Sequence, residues 1–205
     1  NVCAANEYHG IRVAEQAQPS LLNNRCENNK DCGIAYYGSA AGSAQNNLCT
    51  GNGLHGIGIN QQAQPSLLNN RCENNKQDGI AYFDSAAGTA CDNVCAANEY
   101  HGIRVAEQAQ PSLLNNRCEN NKDCGIAYYG SAAGSARDNN CAANEYHGIR
   151  VAEQAQPSLL NNRCENNKDC GIAYFDSAAG TAKNNVCVGN ARDIIVRDQA
   201  RPKIN

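Results

Sequence analysis

The feature that most constrains this chain is a period of 23 residues running from one end to the other. Asn1, Asn24, Asn47, Asn70, Asn93, Asn116, Asn139, Asn162 and Asn185 open successive units. Each unit has a Cys two residues later, an Asn five later and an Ile ten later, and in the first eight units a Gly precedes that Ile. Self-similarity at a period in the twenties is the signature of a solenoid, in which each turn buries its inner face against two neighbours. Eight full units cover 1–184 and a shorter ninth covers 185–205, with no break in register, so 1–205 reads as one domain.

Within a unit, apolar residues recur two apart: Ile11 and Val13, then Ala17, Pro19 and Leu21. Period two with short gaps means brief strands joined at tight corners. Gly and Pro recur too often for two helices in so short a unit. The expectation is an all-β fold, a parallel β-helix of nine turns with three short strands per turn, and right-handed crossovers are the strong default. Odd and even units differ, so the full repeat is a pair of units. Odd turns carry Val13, Pro19 and Leu21 where even turns carry Tyr36, Gly42 and Ala44, trading bulk at one position for space at two others. Close packing requires such compensation. Pro19, Pro65, Pro111 and Pro157 are expected at strand entrances, since a proline inside a strand loses a ladder bond.

The Gly column from Gly10 to Gly171 is expected at a corner needing positive φ. The Asn column from Asn6 to Asn190 is expected at a left-handed turn, its stacked amides satisfying one another. In the ninth unit Ile194 stands in place of the Gly, one residue is expected to be lost before Ala200, and Arg192, Asp193, Arg197, Asp198, Arg201 and Lys203 discourage further strand pairing. The chain opens on Asn1 in mid-pattern, as a segment of a longer protein would.

Nine of the 13 cysteines form one column: Cys3, Cys26, Cys49, Cys72, Cys95, Cys118, Cys141, Cys164 and Cys187. Parallel strands about 4.8 Å apart fit poorly with bridged Cβ atoms at about 3.5–4.5 Å. The column is therefore expected as small, reduced, apolar side chains. A net charge of −3 with mixed signs gives no basic footprint for nucleic acid. No run approaches the apolar length of a membrane span.

Four outward columns are candidates for function. Glu7, Lys30, Lys76, Glu99, Lys122, Glu145 and Lys168 alternate in charge and read as a solvated face of exposed pairs. His9, Cys32, His55, Asp78, His101, Cys124, His147, Cys170 and Asp193 are all metal-ligand types that suit zinc or copper. They lack CxxC clustering, however, and are assigned as turn residues rather than a metal site. Tyr37, Phe83, Tyr129 and Phe175 could stack on sugar rings or cover a corner of the core. Ser20, Ser43, Ser66, Thr89, Ser112, Ser135, Ser158 and Thr181 form a hydroxyl column. Arg25 and Glu27, with Arg71 and Glu73, Arg117 and Glu119, and Arg163 and Glu165, read as same-face surface pairs. No asymmetric cluster of base, nucleophile and charge stabiliser stands out, so no catalytic, cofactor or metal residue is assigned.

The stretches Gly102-Ile103-Arg104-Val105, Ala109-Gln110-Pro111 and Asn115 to Asn121, with their copies, resemble the right-handed parallel β-helix repeats of the pectate-lyase-like superfamily. The closest resemblance is to the repeat of carbohydrate-binding proteins and sugar hydrolases, and of F-box substrate-recognition subunits. It implies the fold across the whole chain but not an activity, because fold alone does not fix function. The lyases of that superfamily use a calcium-binding acidic cluster and a lone basic residue, and no matching constellation stands here. The expectation is a non-catalytic scaffold, self-associating through its end turns or holding a protein on a side face. The alternative is recognition or cleavage of a polysaccharide along a side face.

Overall fold

The computed structural model describes residues 1–205. The chain winds through 27 strands and no helix. In the first turn the strands are Val2–Ala4, Ile11–Val13 and Ser20–Leu22, and the later turns repeat them. Every strand pairs in parallel with its counterpart one turn away, giving three nine-stranded sheets. Nine turns at a strand spacing of about 4.8 Å make a rod roughly 43 Å long.

Two asparagine ladders set the register. In one, Asn98 donates its backbone N–H to Asn121 Oδ1 at 3.1 Å and a carboxamide N–H to the same oxygen at 3.0 Å. Its other carboxamide hydrogen reaches Cys72 O at 3.1 Å. In the other, Asn93 donates to Asn116 Oδ1 at 3.0 Å from both nitrogens and to Leu67 O at 3.1 Å. Each interior carboxamide thereby uses both donors and both acceptor lone pairs. This is how a buried polar column avoids the desolvation cost of unpaired amides. The second ladder, built from the unit-opening asparagines, is an addition to the one expected from sequence.

The left-handed residues are not where the sequence spacing placed them. Neither the Asn6 nor the Gly10 column has positive φ; the corners lie one residue earlier (Ala5, Asn28, Ala97, Asn120) and at Glu15 and Asn23 with their copies. The Gly column is needed for close approach instead. A Cβ on Gly102 would meet Gly125 O at 2.6 Å, Cys118 Cβ at 2.8 Å and the ladder amide of Asn121 at 3.0 Å. Positive φ does select the glycines that alternate with proline, as at Gly42 (φ 86) and Gly88 (φ 96). The prolines themselves directly precede the third-sheet strands, as expected.

The interior is a single cluster in which Cys, Ile, Val/Tyr, Ala and Leu/Ala columns meet. Tyr36, Tyr82, Tyr128 and Tyr174 are fully buried, opposite Val or Ile and beside the small Ala44-type residues of their own turns. Their hydroxyls have no hydrogen-bond partner, a cost the ring burial must offset. The cysteine column stacks in register, Cys72 on Cys95 and Cys95 on Cys118, and all 13 thiols are free. Burial pushes the Cys95 thiol well above its ordinary pKa, so it is neutral.

The ninth turn departs in a different place than expected. Ile194, not Ile195, lies in register with Ile172, so Ile194 does not stand in the Gly position, and the residue lost before Ala200 is missing between Asn190 and Arg192. Arg192 thus pairs with Cys170 in the position expected for Asp193, and the Asp193 carbonyl sits over Gly171. The same-face pairs form as expected, with Arg71 to Glu73 at 2.6 Å.

The ladder makes a prediction. Asn98→Ala would strand the Asn75 N–H and carboxamide together with Cys72 O, and should lower stability in urea unfolding by at least about 3 kcal/mol. The exposed Ser112→Ala should change it by under about 0.5 kcal/mol. Equal midpoints for the two variants would contradict the ladder's role.

Candidate functional site

The outer face of the second sheet holds the most distinctive surface chemistry. Its strands turn residues such as Ile103 and Val105 inward, which leaves Arg104 outward; the even strands carry Ala127 or Ala173 there. Two residues beyond each of these alanines stands an outward aromatic. One turn of axial rise then places each arginine between two rings. The Arg104 guanidinium lies 5.3 Å from the Phe83 centroid and 5.5 Å from that of Tyr129. Arg150 lies 5.4 Å from Tyr129 and 5.1 Å from Phe175. The result is a continuous stack, Phe83–Arg104–Tyr129–Arg150–Phe175. It is interrupted at the third turn, where Gly58 takes the arginine position, and resumes as Arg12 over Tyr37 at 5.3 Å. Nε of Arg104 and of Arg150 is buried without a partner; cation–π attraction compensates by about 0.5–2 kcal/mol per contact.

Histidines flank the stack on the side toward the preceding corner. The His101 ring lies 5.7 Å from Tyr129, and His147 the same distance from Phe175. Each imidazole Nδ1 accepts a backbone N–H from the next turn, Cys124 for His101 and Cys170 for His147, both at 3.3 Å. The proton is therefore on Nε2, which in His101 lies 3.4 Å from the Tyr129 hydroxyl. Burial lowers the pKa of His101 and of His147, against the pull of Asp78 and Asp123 on the first and Asp169 on the second, so the neutral form is favoured. Asp78 takes the Cys position opposite His55 at 3.2 Å. Its burial would raise its carboxyl, but the bond to His55 and the nearby His101 hold it below the usual range.

Beyond the histidines stand exposed rings that sequence reasoning passed over. Tyr8, Tyr100 and Tyr146 are 75%, 53% and 55% exposed. Tyr100 meets His101 edge-on at 6.5 Å and Tyr146 meets His147 at 6.1 Å. Their recurrence on odd turns, like that of arginine at the outer strand position, was the available signal. On the other flank, Asp84, Glu107, Glu153 and Asp176 occupy left-handed corners. Their carboxylates are engaged, as in Asp84 N–H to Glu107 Oε2 at 2.6 Å and Gly130 N–H to Glu153 Oε2 at 2.7 Å.

The other columns expected from sequence remain apart from this face. The charge column forms surface pairs, Lys76 to Glu99 at 2.9 Å and Lys168 to Glu145 at 3.1 Å. The hydroxyl column forms long contacts, such as Thr181 to Ser158 at 3.2 Å. A shallow groove of about 340 Å³ lies on the third sheet among Ser112, Leu114, Ser135, Arg137, Ser158 and Leu160.

Residues 1–94 and 88–204 match the family model described as "Right handed beta helix region". The chain belongs to that family. No curated protein matches it. Among solved structures, a point mutant of the periplasmic alginate epimerase AlgG is similar with a TM-score of 0.72 at 17% identity, over 96% of this chain and 46% of that one. The A-module of the Azotobacter vinelandii mannuronan C-5 epimerase AlgE4 has a TM-score of 0.65 at 13% identity, covering 98% and 80%. The Agl-KA catalytic domain has 0.61 at 12%, covering 96% and 45%. This chain spans about half the length of the AlgG structures it matches, 46% and 58%. At such identities the likeness establishes the fold.

The stack can be tested by itself. A double-mutant cycle with Phe83→Leu and Arg104→Gln should give a coupling of about 0.5–1 kcal/mol in stability. Strict additivity would show that the ring and the guanidinium do not interact.

Proposed function

We propose that this chain binds an acidic polysaccharide along the outer face of its second sheet. The observation that carries the reading is the Phe83–Arg104–Tyr129–Arg150–Phe175 stack, bordered by the exposed Tyr100 and Tyr146. Equivalent groups recur every second strand, about 9.6 Å apart, a distance comparable to the length of a disaccharide. Exposed tyrosine rings offer flat apolar faces to sugar rings, and guanidinium groups suit carboxylates better than ammonium groups do. A repeating polymer then meets a repeating surface, so each added unit contributes through effective concentration.

The fold likeness to alginate epimerases and to the Agl-KA catalytic domain supports this reading more than it supports the scaffold role suggested by the uniform turns. The third-sheet groove is less suited, because it offers no aromatic ring.

Titration calorimetry with alginate, a polyuronate, should show binding that weakens as salt is raised, because exposed charge attraction is screened. Arg104→Ala with Arg150→Ala should weaken it at least tenfold, and Tyr100→Ala with Tyr146→Ala severalfold. Equal affinity for a neutral glucan, or full affinity in the double-arginine variant, would contradict the assignment.

A further inference from the structure

We infer that two zinc sites lie between adjacent turns beside the aromatic stack: His101, Asp123 and Cys124 form one, and His147, Asp169 and Cys170 the other. In each group one ligand atom per residue lies within 4.8 Å of the other two. His101 Nδ1 is 3.7 Å from Asp123 Oδ1, and Cys124 Sγ is 3.1 Å from the same oxygen. In the second group the two distances fall on different oxygens of one carboxylate, His147 Nδ1 to Asp169 Oδ2 at 3.8 Å and Cys170 Sγ to Asp169 Oδ1 at 3.3 Å. Zinc bonds of about 2.0–2.3 Å at a tetrahedral centre set ligand atoms roughly 3.3–3.8 Å apart. At the first site two of the three ligand edges therefore already lie near that range, and in both groups every pair of ligand atoms is within 4.8 Å.

The chemistry of the set matches the ion. Imidazole, thiolate and carboxylate are zinc's usual protein ligands, and three of them leave a fourth position open. On binding, the metal–sulfur bond forms as the S–H bond breaks and the proton leaves to solvent. Thiolate and carboxylate then neutralise the dication, with the imidazole uncharged. The lone pair needed on Nδ1 is already the unprotonated one, since that atom accepts only a long bond from the Cys124 or Cys170 N–H. That bond yields to the ion. The Tyr129 hydroxyl next to His101 Nε2 holds the required tautomer at the first site, as outer partners do for metal-bound histidines. The His and Cys side chains are buried, and the half-exposed aspartates leave an entry path.

The same columns supply internal contrasts. Cys32 faces Gly58, where later odd turns carry arginine, its Sγ lying 3.1 Å from where a Cβ on that glycine would sit, and His9, Asp31 and Cys32 do not close to the spacing of the two groups above. At His55 the thiol is replaced by Asp78 and the carboxylate by Gln77. Only two of the four positions are therefore complete. They are also unequal: Arg192 lies 3.4 Å from Asp169 and competes for its carboxylate, and Phe175 stands where Tyr129 supports His101. The first site should bind more tightly. An ion there would clasp the fifth turn to the sixth and hold the histidine ring against the stack.

The test is titration of the full chain, stripped of metal and kept reduced, with cobalt(II) as a zinc surrogate. Two equivalents should produce near-ultraviolet thiolate-to-cobalt absorption and the visible bands of tetrahedral cobalt, both abolished by added zinc. Cys124→Ser and Cys170→Ser should each remove one equivalent, and Cys91→Ser none. Asp123→Asn, at a half-exposed position, should weaken the tighter site at least tenfold while the circular dichroism spectrum is unchanged. Absence of the thiolate band, its survival in the Cys124→Ser/Cys170→Ser double variant, or unaltered affinity in Asp123→Asn would overturn the proposal.

Discussion

The structure depends on a hydrogen bond made by a side chain to its own counterpart one turn away. A short parallel strand of three residues has little to fix its register, and slippage by one residue would turn every inward side chain outward. The two asparagine columns remove that freedom. Asn98 and Asn93 each bind the next turn through backbone and side chain together, and reach back to a carbonyl of the preceding turn. A slipped turn would leave several buried amides unpaired at once, and that penalty is larger than any single apolar contact offers.

Once register is fixed, the alternation between odd and even turns acquires meaning. Inside, Tyr128 packs between Val105 and Val151, and the space it takes is returned by Gly134 and Ala136 in the same turn. Outside, the same two-turn alternation interleaves guanidinium groups with aromatic rings. A uniform sequence of single units would instead have set arginine on arginine, which repels. The doubled repeat thus solves a packing problem in the core and a charge problem on the surface with one device, and the proposed binding face follows from the second.

Much of this was legible in the sequence. The period gave the solenoid, the two-residue alternation gave the strands, and the spacing of Cys95 from Cys72 and Cys118 argued correctly against disulfides. The errors concern backbone detail. Gly102 and Asn98 were natural candidates for left-handed φ, but the chain turns instead at Ala97 and at Glu107. The reason Gly102 must be glycine, a carbonyl of the next turn where a Cβ would sit, exists only once turns are stacked. The ninth turn was misaligned for a related reason: two consecutive isoleucines, Ile194 and Ile195, leave the deletion unplaced until pairing with Ile172 decides. The outward columns were each visible, but their meeting was not. Residue columns in sequence do not show that Asp123 and Cys124 close on His101, or that Arg104 enters between Phe83 and Tyr129. Those contacts depend on side-chain direction across a corner.

The account therefore rests on vertical order, and hydrogen exchange of side-chain amides tests it most directly. Resolved by NMR, the carboxamide protons of the interior asparagines, such as Asn75, Asn98 and Asn121, should be protected as strongly as the strand amides. Those of the exposed Asn23 and Asn161, whose carboxamides bond to no other residue, should exchange at the rate of free asparagine. Interior carboxamides that exchange as fast as exposed ones would mean the ladders do not bear the register.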